Sequence, residues 1–450
     1  MFQNKKILVL GLARSGFSAA LTLNKLNCEV IVNDASIEEK LDSLQIKELR
    51  SLNIECIFGS HPDDLIDNSF DYIVKNPGIR NDHKYVIKAK ELGIPVINEV
   101  ELAYHLLPDD VTIVSITGSN GKTTTTSLTY NILKSAGLPV HLAGNIGYPI
   151  CSIIDSIKSG DIIVSEISCQ QLANVSEFKP NIALLTNFSP AHIDFFGSYD
   201  KYKETKIKLF KNQDSRDIAI LNYDNQDSME YVDQINGNKL YFSVNSIKDC
   251  YMKDNKFYYK DEFIMDRSDM FLKGNHNVSN ALGAILIAKI FNVSNDVIKK
   301  VLKDFKGVPH RLEYVDNING ATFYNDTEAT NIKCTQIALS SFNNPIILFL
   351  GGLERGQDFD DLKDYIKNVK VIIGIGECRS RVKEFADKNN IENYIFEHLK
   401  DGFKKSIELI KDEDVVLLSP ASASWDQYKE CEERGDEFKK LVEEYKNGNN

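Results

Sequence analysis

Cysteine is scarce and unpatterned in this chain: 8 residues in 450, scattered from Cys28 to Cys431, with no C-x-x-C pair. That excludes a disulfide framework or a structural zinc site, whose ligands come at close, regular spacings, and fits reduced thiols. Positive charge is also in deficit, with 53 Lys+Arg against 65 Asp+Glu and a net charge of -12. With no long basic run, nucleic acid and anionic membrane surfaces are excluded as main partners. An anionic small substrate would need locally placed Lys, Arg, Mg²⁺ or backbone N–H groups. No apolar run approaches the length of a membrane span. The opening "KKILVLGLARSG" has the lysines of a signal peptide, but its apolar run is short and meets Gly11 and Arg14 rather than a small-residue cleavage site. A cytoplasmic protein, working as a monomer, is expected. What remains, 42% hydrophobic and 26% charged, is an ordinary globular composition, and the length predicts three domains.

The pattern along the chain is α/β throughout. To about Pro108, "KILVLGL", "EVIVND", "DYIVKNPGI" and "IPVINEV" read as strands and "SGFSAALTLNKLN" as a helix, predicting a doubly wound, Rossmann-like sheet over residues 1–108. A second segment, 109–308, carries strands "DIIVSEIS" and "NIALLTNF", a polar stretch from about Asp224 to Asp269 that reads as antiparallel decoration, and "GNHNVSNALGAILIAKIF" as a capped, buried helix. A third, 309–450, alternates again through "PIILFLGG", "VKVIIGIGE" and "DVVLLSPAS", predicting a second Rossmann-like domain, with a tail "EEYKNGNN" that frays.

Two turns carry chemistry. Gly11-Leu12-Ala13-Arg14-Ser15-Gly16, with Asp34 closing the second strand, is close to the dinucleotide fingerprint, but Ala13 replaces its central Gly. A dinucleotide, a uridine diphosphate and a purely structural turn all remain open there. The stretch "VSITGSNGKTTTT", Val114 to Thr126, is nearly a Walker A loop with Ile116 in place of the first Gly. An apolar strand, a Gly-rich loop and a helix start offer backbone N–H groups to one phosphate chain. Lys122 adds positive charge for the β/γ-phosphates and Thr123 a hydroxyl for Mg²⁺. The bland alternative is a turn before a helix with an ordinary surface lysine. Phosphoryl transfer also needs metal-binding groups, and Glu166, His192 and Asp194 follow strands of this same domain, although single such residues are more often structural.

Longer blocks then occur in order: "TGSNGKTTTT", "GNIG", "SEISCQQL", "NFSPAHIDFFGSYDKYKETKIKLF", "GNHNVSNALGA", "PHRLE", "YNDTEATN" and "LLSPASASWDQYKECEERGDEF". Together they resemble the Mur ligases of peptidoglycan synthesis over nearly the whole chain, and the last block with "GLARSG…ND" resembles the branch that adds D-glutamate. The resemblance implies a central ATP-binding domain between two Rossmann-like ones. It implies ligation of D-glutamate to UDP-N-acetylmuramoyl-L-alanine through an acyl phosphate. It places Gly118, Ser119, Asn120, Gly121, Lys122, Thr123, Thr124, Asn277, Asn280, Arg311 and Asp326 on ATP. Arg14, Ser15 and Asp34 fall in the uridine-diphosphate cradle, and Asn145, Ser168 and Gln171 along the muramoyl substrate. Thr330, Arg355 and Ser424 fall around D-glutamate. Thr123, Glu166, His192 and a Lys206 carbamylated by CO₂ would bind two Mg²⁺, with Lys122, His192 and Lys206 catalytic. A carbamate turns a cation into an anionic two-oxygen ligand suited to Mg²⁺.

Departures fall in the amino-acid pocket. Glu328 stands where many relatives have lysine and would repel the D-glutamate carboxylate unless paired with a cation such as Arg355, and Cys431 stands where an aromatic is common. The rivals are another Mur ligase, folylpolyglutamate synthase, an NAD-dependent oxidoreductase and a non-catalytic nucleotide-binding module.

Overall fold

The computed structural model describes residues 1–272 and 274–448, with the side chains of Asp194 and Lys333 outside the description. Its chain packs as two compact units, Met1–Phe305 and Lys306–Asn450, and the first holds two sheets.

β-Branched runs with apolar residues on both faces require cover on both sides, and a parallel sheet wrapped by helices provides it. The first sheet has five parallel strands, in the order Glu55–Phe58, Glu29–Asp34, Lys6–Leu10, Tyr72–Lys75, Val96–Ile97. The helix Arg14–Lys25 leaves the first strand through the Gly11–Gly16 turn. There an added Cβ on Gly16 would lie 2.0 Å from the carbonyl oxygen of Gly11, so helix and strand pack as closely as a nucleotide-binding turn demands. "IPVINEV" forms strand only over Val96–Ile97. Asn98 then caps the helix Glu99–Tyr104, its side chain accepting from the Glu101 N–H at 3.1 Å, because an Asx cap outcompetes continued extension.

The second sheet has nine strands, running from Glu262–Asp266 at one edge to Val140–Gly144 at the other, with Thr112–Thr117 flanked by Ile162–Glu166 and Ile182–Leu185. The stretch expected to be antiparallel is so only in part. Asn238–Ser243 and Cys250–Lys253 continue the sheet in parallel, and only Lys256–Tyr259 and Glu262–Asp266 fold back. The helix Asn275–Ile290 is buried as expected, but its N-cap is Gly274, without a side-chain cap.

In the second unit the sheet order is Glu313–Ile318, Ala321–Asn325, Val415–Leu418, Ile346–Gly351, Val369–Ile375, Glu392–Ile395. Five strands are parallel and the edge strand Glu313–Ile318 is antiparallel. The last helix runs Cys431–Lys446, through the first half of the tail expected to fray, and Asn449 and Asn450 lie outside the described residues. All eight cysteines are free.

Candidate active site

The phosphate loop leaves Thr112–Thr117 and enters the helix Lys122–Ser135. Its glycines answer steric demands. Gly118 has φ +149° and an added Cβ would sit 1.8 Å from Thr186 Oγ1; Gly121, with φ +78°, would meet Asn280 Oδ1 at 2.1 Å. The segment after the neighbouring strand pins the loop. The Ser119 N–H donates to the Asn187 carbonyl at 2.8 Å, the Thr186 hydroxyl to the Asn120 carbonyl at 2.6 Å, and the Ser189 N–H to Ser119 Oγ at 2.9 Å. Lys122 Nζ lies 3.1 Å from the Ser119 carbonyl, folded back along the loop. Thr123 is buried and Thr124 half-buried in the first turn. Asn280 reaches the same helix start from Asn275–Ile290, and its amide nitrogen lies 3.4 Å from Asn277 Oδ1.

Beside this loop lies a cleft of about 370 Å³ lined by Pro77, Gly78, Lys122, Asn145, Ser168, Cys169, Gln170, His192, Tyr202 and Lys206. It brings together five residues singled out from sequence: Lys122, Asn145, Ser168, His192 and Lys206. Lys206 is 1% exposed, on the helix Tyr199–Ile207. Its Nζ lies 3.4 Å from Thr117 Oγ1 and 4.9 Å from the centre of the Tyr202 ring, one turn earlier. Burial, reinforced by the charge of Lys122, pulls its pKa down to about 7 against the opposing pull of Cys169 and Glu166. Glu166 ends the strand Ile162–Glu166 and is itself buried. One carboxylate oxygen accepts the Asn145 amide at 2.7 Å, and the other, fully buried, has no hydrogen-bond partner. An added Cβ on Gly144 would lie 2.4 Å from the Glu166 carbonyl oxygen, so glycine lets Asn145 come this near. His192, exposed and with φ +52°, starts the short helix Ile193–Phe196 at the rim.

Gln171 is placed differently from its sequence neighbour. Ser168 caps the helix Cys169–Leu172, and Gln171 reciprocates by accepting the Ser168 N–H at 2.8 Å, a capping box. Gln171 is therefore buried in the helix start while Gln170 lines the cleft. Pro77, Gly78, Cys169, Gln170 and Tyr202 were missed from sequence. Their only signals were the loop "KNPG" after a strand and the i, i+4 spacing of Tyr202 and Lys206.

In the first sheet, Asp34 fixes the turn by accepting from the Leu12 and Ser36 N–H groups, each at 2.8 Å. Ser15 Oγ accepts the Asn76 amide at 3.1 Å, and Arg14 donates to the Gly147 carbonyl.

The remaining candidates belong to the second unit. Asp326 accepts the Leu312 N–H at 3.0 Å and the Ser419 hydroxyl at 2.7 Å, and burial lifts its pKa to about 7. The cation beside Glu328 is Arg311, at 3.4 Å. Arg355 instead lies over the exposed Trp425 ring, 4.4 Å from its centre, because a planar guanidinium stacks well on an indole. Thr330 turns on Glu328, its N–H donating to that carbonyl at 2.8 Å. Ser424 is buried with its hydroxyl unpartnered. The fully buried Arg434, unnoticed in sequence, ties the Thr327 hydroxyl and carbonyl to the Ser422 carbonyl at 2.9–3.0 Å.

An α/β sheet with a phosphate loop and an incompletely bonded carboxylate at the ends of neighbouring strands, and a neutralisable buried lysine on a helix beside them, defines a nucleotide-using enzyme that handles anionic groups. The comparisons make this specific. Residues 5–98 match the MurD-like N-terminal domain of Mur ligases, 116–288 the Mur ligase middle domain and 310–422 the Mur ligase glutamate ligase domain. The chain is 44% identical over 446 residues, 98% of each chain, to UDP-N-acetylmuramoylalanine–D-glutamate ligase of Bacillus cereus (strain G9842). It is 42% identical over 449 residues, 99% of each, to the ligase of that name from Geobacillus kaustophilus (strain HTA426). Among solved structures, the fold is shared with the UDP-N-acetylmuramate-alanine ligase MurC of Thermotoga maritima, at TM-score 0.61 and 18% identity, covering 99% of this chain and 100% of that one. It is also shared with the MurF ligase of Thermotoga maritima solved with ADP, at TM-score 0.57 and 19% identity, covering 92% and 95%. The chain belongs to the Mur ligase family.

Proposed function

We propose that this chain is an ATP-dependent ligase that joins D-glutamate to UDP-N-acetylmuramoyl-L-alanine in peptidoglycan precursor synthesis. The observation that carries the chemistry is the buried Lys206 lining one cleft with Lys122 and with Asn145, the residue that holds the Glu166 carboxylate. Relatives at 42–44% identity over the full chain, named for the D-glutamate reaction, support the choice of amino acid.

A carboxylate does not acylate an amine in neutral water, because its oxygen is a poor leaving group. In the proposed reaction a substrate carboxylate oxygen bonds to the γ-phosphorus of ATP as the bond to the bridging oxygen of ADP breaks. The D-glutamate amine then attacks the acyl carbon, loses a proton, and phosphate departs with the C–O electron pair. Both first reactants are anions, so their approach must be neutralised. Lys122 supplies fixed positive charge at the loop, and the loop N–H groups and helix start hold the phosphates.

The donor set fits Mg²⁺. Glu166 offers a buried oxygen that no protein donor satisfies, which a hard cation would complete. A lysine with pKa about 7 presents the neutral amine that reaction with CO₂ requires, which no ordinary lysine does near neutral pH. Thr123, Glu166, His192 and the Lys206 carbamate would hold the ions, which when bound supply charge neutralisation on the phosphates. In the second unit, Arg311 and Asp326 would meet ATP, and Thr330, Ser424 and Arg355 the amino acid. Asp34, Ser15 and Arg14 would hold the uridine diphosphate, and Asn145, Ser168 and the Gln171-braced turn the muramoyl arm. Among the described residues no helix is long and apolar enough to cross a membrane; we infer a cytoplasmic monomer.

Phosphate release from ATP and Mg²⁺ with UDP-N-acetylmuramoyl-L-alanine, one amino acid at a time, tests this. Release coupled to product with D-glutamate, and not with L-glutamate, L-alanine or L-lysine, is the expected result. Activity only with another amino acid would move the chain elsewhere in its family, and no activity with any would leave a nucleotide-binding module.

A further inference from the structure

The first sheet buries an ammonium group that the chemistry above leaves without a task. Lys75 is the last residue of the strand Tyr72–Lys75 and is 1% exposed. Leu10 is its register partner on Lys6–Leu10. These two strands form the pair at which the strand order of the sheet reverses, and ligands of open parallel sheets bind at the carboxyl ends of such a pair. The Nζ of Lys75 donates to the carbonyls of Asn76, at 3.3 Å, and Ile79. Burial alone shifts its pKa, down to about 8, with no carboxylate near enough to contribute. A buried charge normally has a paired anion.

The turn above this ammonium touches both phosphate-handling regions of the first unit. The Asn76 N–H donates to the Leu10 carbonyl at 2.8 Å, and its side chain bridges Ser15 Oγ at 3.1 Å and the Gly78 N–H at 2.9 Å. An added Cβ on Gly11 would sit 2.8 Å from Asn76 Cβ. Two residues on, Pro77 and Gly78 line the cleft of Lys122 and Lys206. The 76–79 turn thus stands between the Gly11–Gly16 turn and the cleft, where a substrate with a nucleotide at one end and a reacting carboxylate at the other must pass.

We propose that Lys75 is a positioning residue for the diphosphate of the uridine nucleotide: it locks the 76–79 turn through two carbonyls and sets an unpaired positive charge beneath the crevice. The inference rests on the functional reading above. A charge held out of water is screened little, so it favours a diphosphate over an uncharged nucleoside. The groups facing it leave that role to Lys75. His83 caps the helix Lys84–Glu91, with His61 against it at 4.7 Å between ring centres. Burial and neighbouring cations hold both imidazoles below their ordinary pKa. Lys84 is engaged with Asp63 and the His61 carbonyl, each at 2.5 Å, and burial raises the Tyr85 phenol to about 12.

Calorimetric titration of the full chain with UDP and with uridine separates charge from mere shape. Lys75→Gln keeps a donor for the carbonyls and removes the charge. It is expected to weaken UDP by about tenfold or more and uridine by less than about twofold. Turnover should show the same split, with KM for the UDP-linked substrate raised and KM for ATP unchanged. If the variant does not fold, the wild-type protein still answers. Its preference for UDP over uridine should fall between about pH 7.5 and pH 9 as the ammonium loses its proton, while the uracil common to both ligands cancels. Equal weakening of both ligands, or a preference flat with pH, would overturn the proposal. Wild-type protein that binds neither UDP nor the UDP-linked substrate would overturn the functional reading first and this inference with it.

Discussion

Single residues here are placed for chemistry at the expense of stability. Lys206 is the clearest. Unfolded, it holds its proton to about pH 10.5, whereas folded it loses it near 7. The fold therefore bears the full penalty of a desolvated lysine below pH 7, on the order of 5 kcal/mol, and the penalty shrinks as pH rises from 7 toward 10.5. Lys206→Met, which keeps the stem and removes the amine, should melt no lower than wild type at pH 6.5, with the difference narrowing at pH 9. Its ligase activity should fall by about a thousandfold or more. Scanning calorimetry beside a phosphate-release assay checks both; a variant less stable at pH 6.5 would contradict the burial argument. Glu328 is a second case. Its carboxylate sits half-buried beside Arg311 and near the residues expected to meet D-glutamate. Removing the charge in Glu328→Gln should lower KM for D-glutamate by roughly twofold to tenfold, read in initial rates against D-glutamate at saturating ATP.

At the scale of elements, the phosphate loop is held by what surrounds it. Gly118→Ala would drive a methyl into Thr186 Oγ1, and Gly121→Ala into Asn280, each at a positive φ. Each should cost about 1–3 kcal/mol and raise KM for ATP by about tenfold or more, with KM for the UDP-linked substrate little changed. Steady-state kinetics with each substrate varied in turn would detect it. The same elements separate what was legible in the sequence from what was not. Strand, Gly-rich loop and helix could be read between Val114 and Ser135 because local pattern dictates them. So could Glu166 and Lys206, through blocks of family resemblance. Gln170 and Gln171 could not be told apart, since only the capping box fixes which one turns into the cleft. Pro77 and Gly78 were invisible because the cleft they line is completed by Lys122 and later residues, and Lys75 because its burial follows from pairing with the distant strand Lys6–Leu10, which no local pattern records. The polar stretch after Asp224 misled for a related reason: whether a strand runs parallel is set by the neighbour it pairs with, and Asn238–Ser243 lies inside the sheet beside the parallel strand Ile218–Asn222, which polar composition does not record. Arg355 could be aligned but not aimed, as its stacking on Trp425 is a tertiary contact.

Across the first unit as a whole, the two sheets are joined by a buried acid that makes their union sensitive to pH. Glu99, at the start of the helix Glu99–Tyr104, is 2% exposed. One carboxylate oxygen accepts the Cys151 N–H at 2.6 Å from the far side of the junction, and the other is buried and unpartnered. Burial, outweighing hydrogen bonds from Cys151 and Ile150, raises its pKa from 4.5 to about 7. Its neighbour Glu101 secures the same junction differently, accepting the N–H groups of Ser176, Glu177 and Phe178 at 2.7–3.1 Å. For Glu99 the folded pKa lies above the unfolded one. Its contribution is therefore intact below about pH 4.5 and is lost as pH rises through 7, by about 3 kcal/mol at the plateau. Glu99→Gln keeps an acceptor for Cys151 and cannot ionise. It should therefore melt higher than wild type at pH 8, with the gain vanishing toward pH 5. A melting series from pH 5 to pH 8.5, following the transition of the first unit, decides it. A gain that stays constant across that range would mean that Glu99 is held by a donor other than the Cys151 backbone and stays charged when folded, and that the junction has no proton to lose.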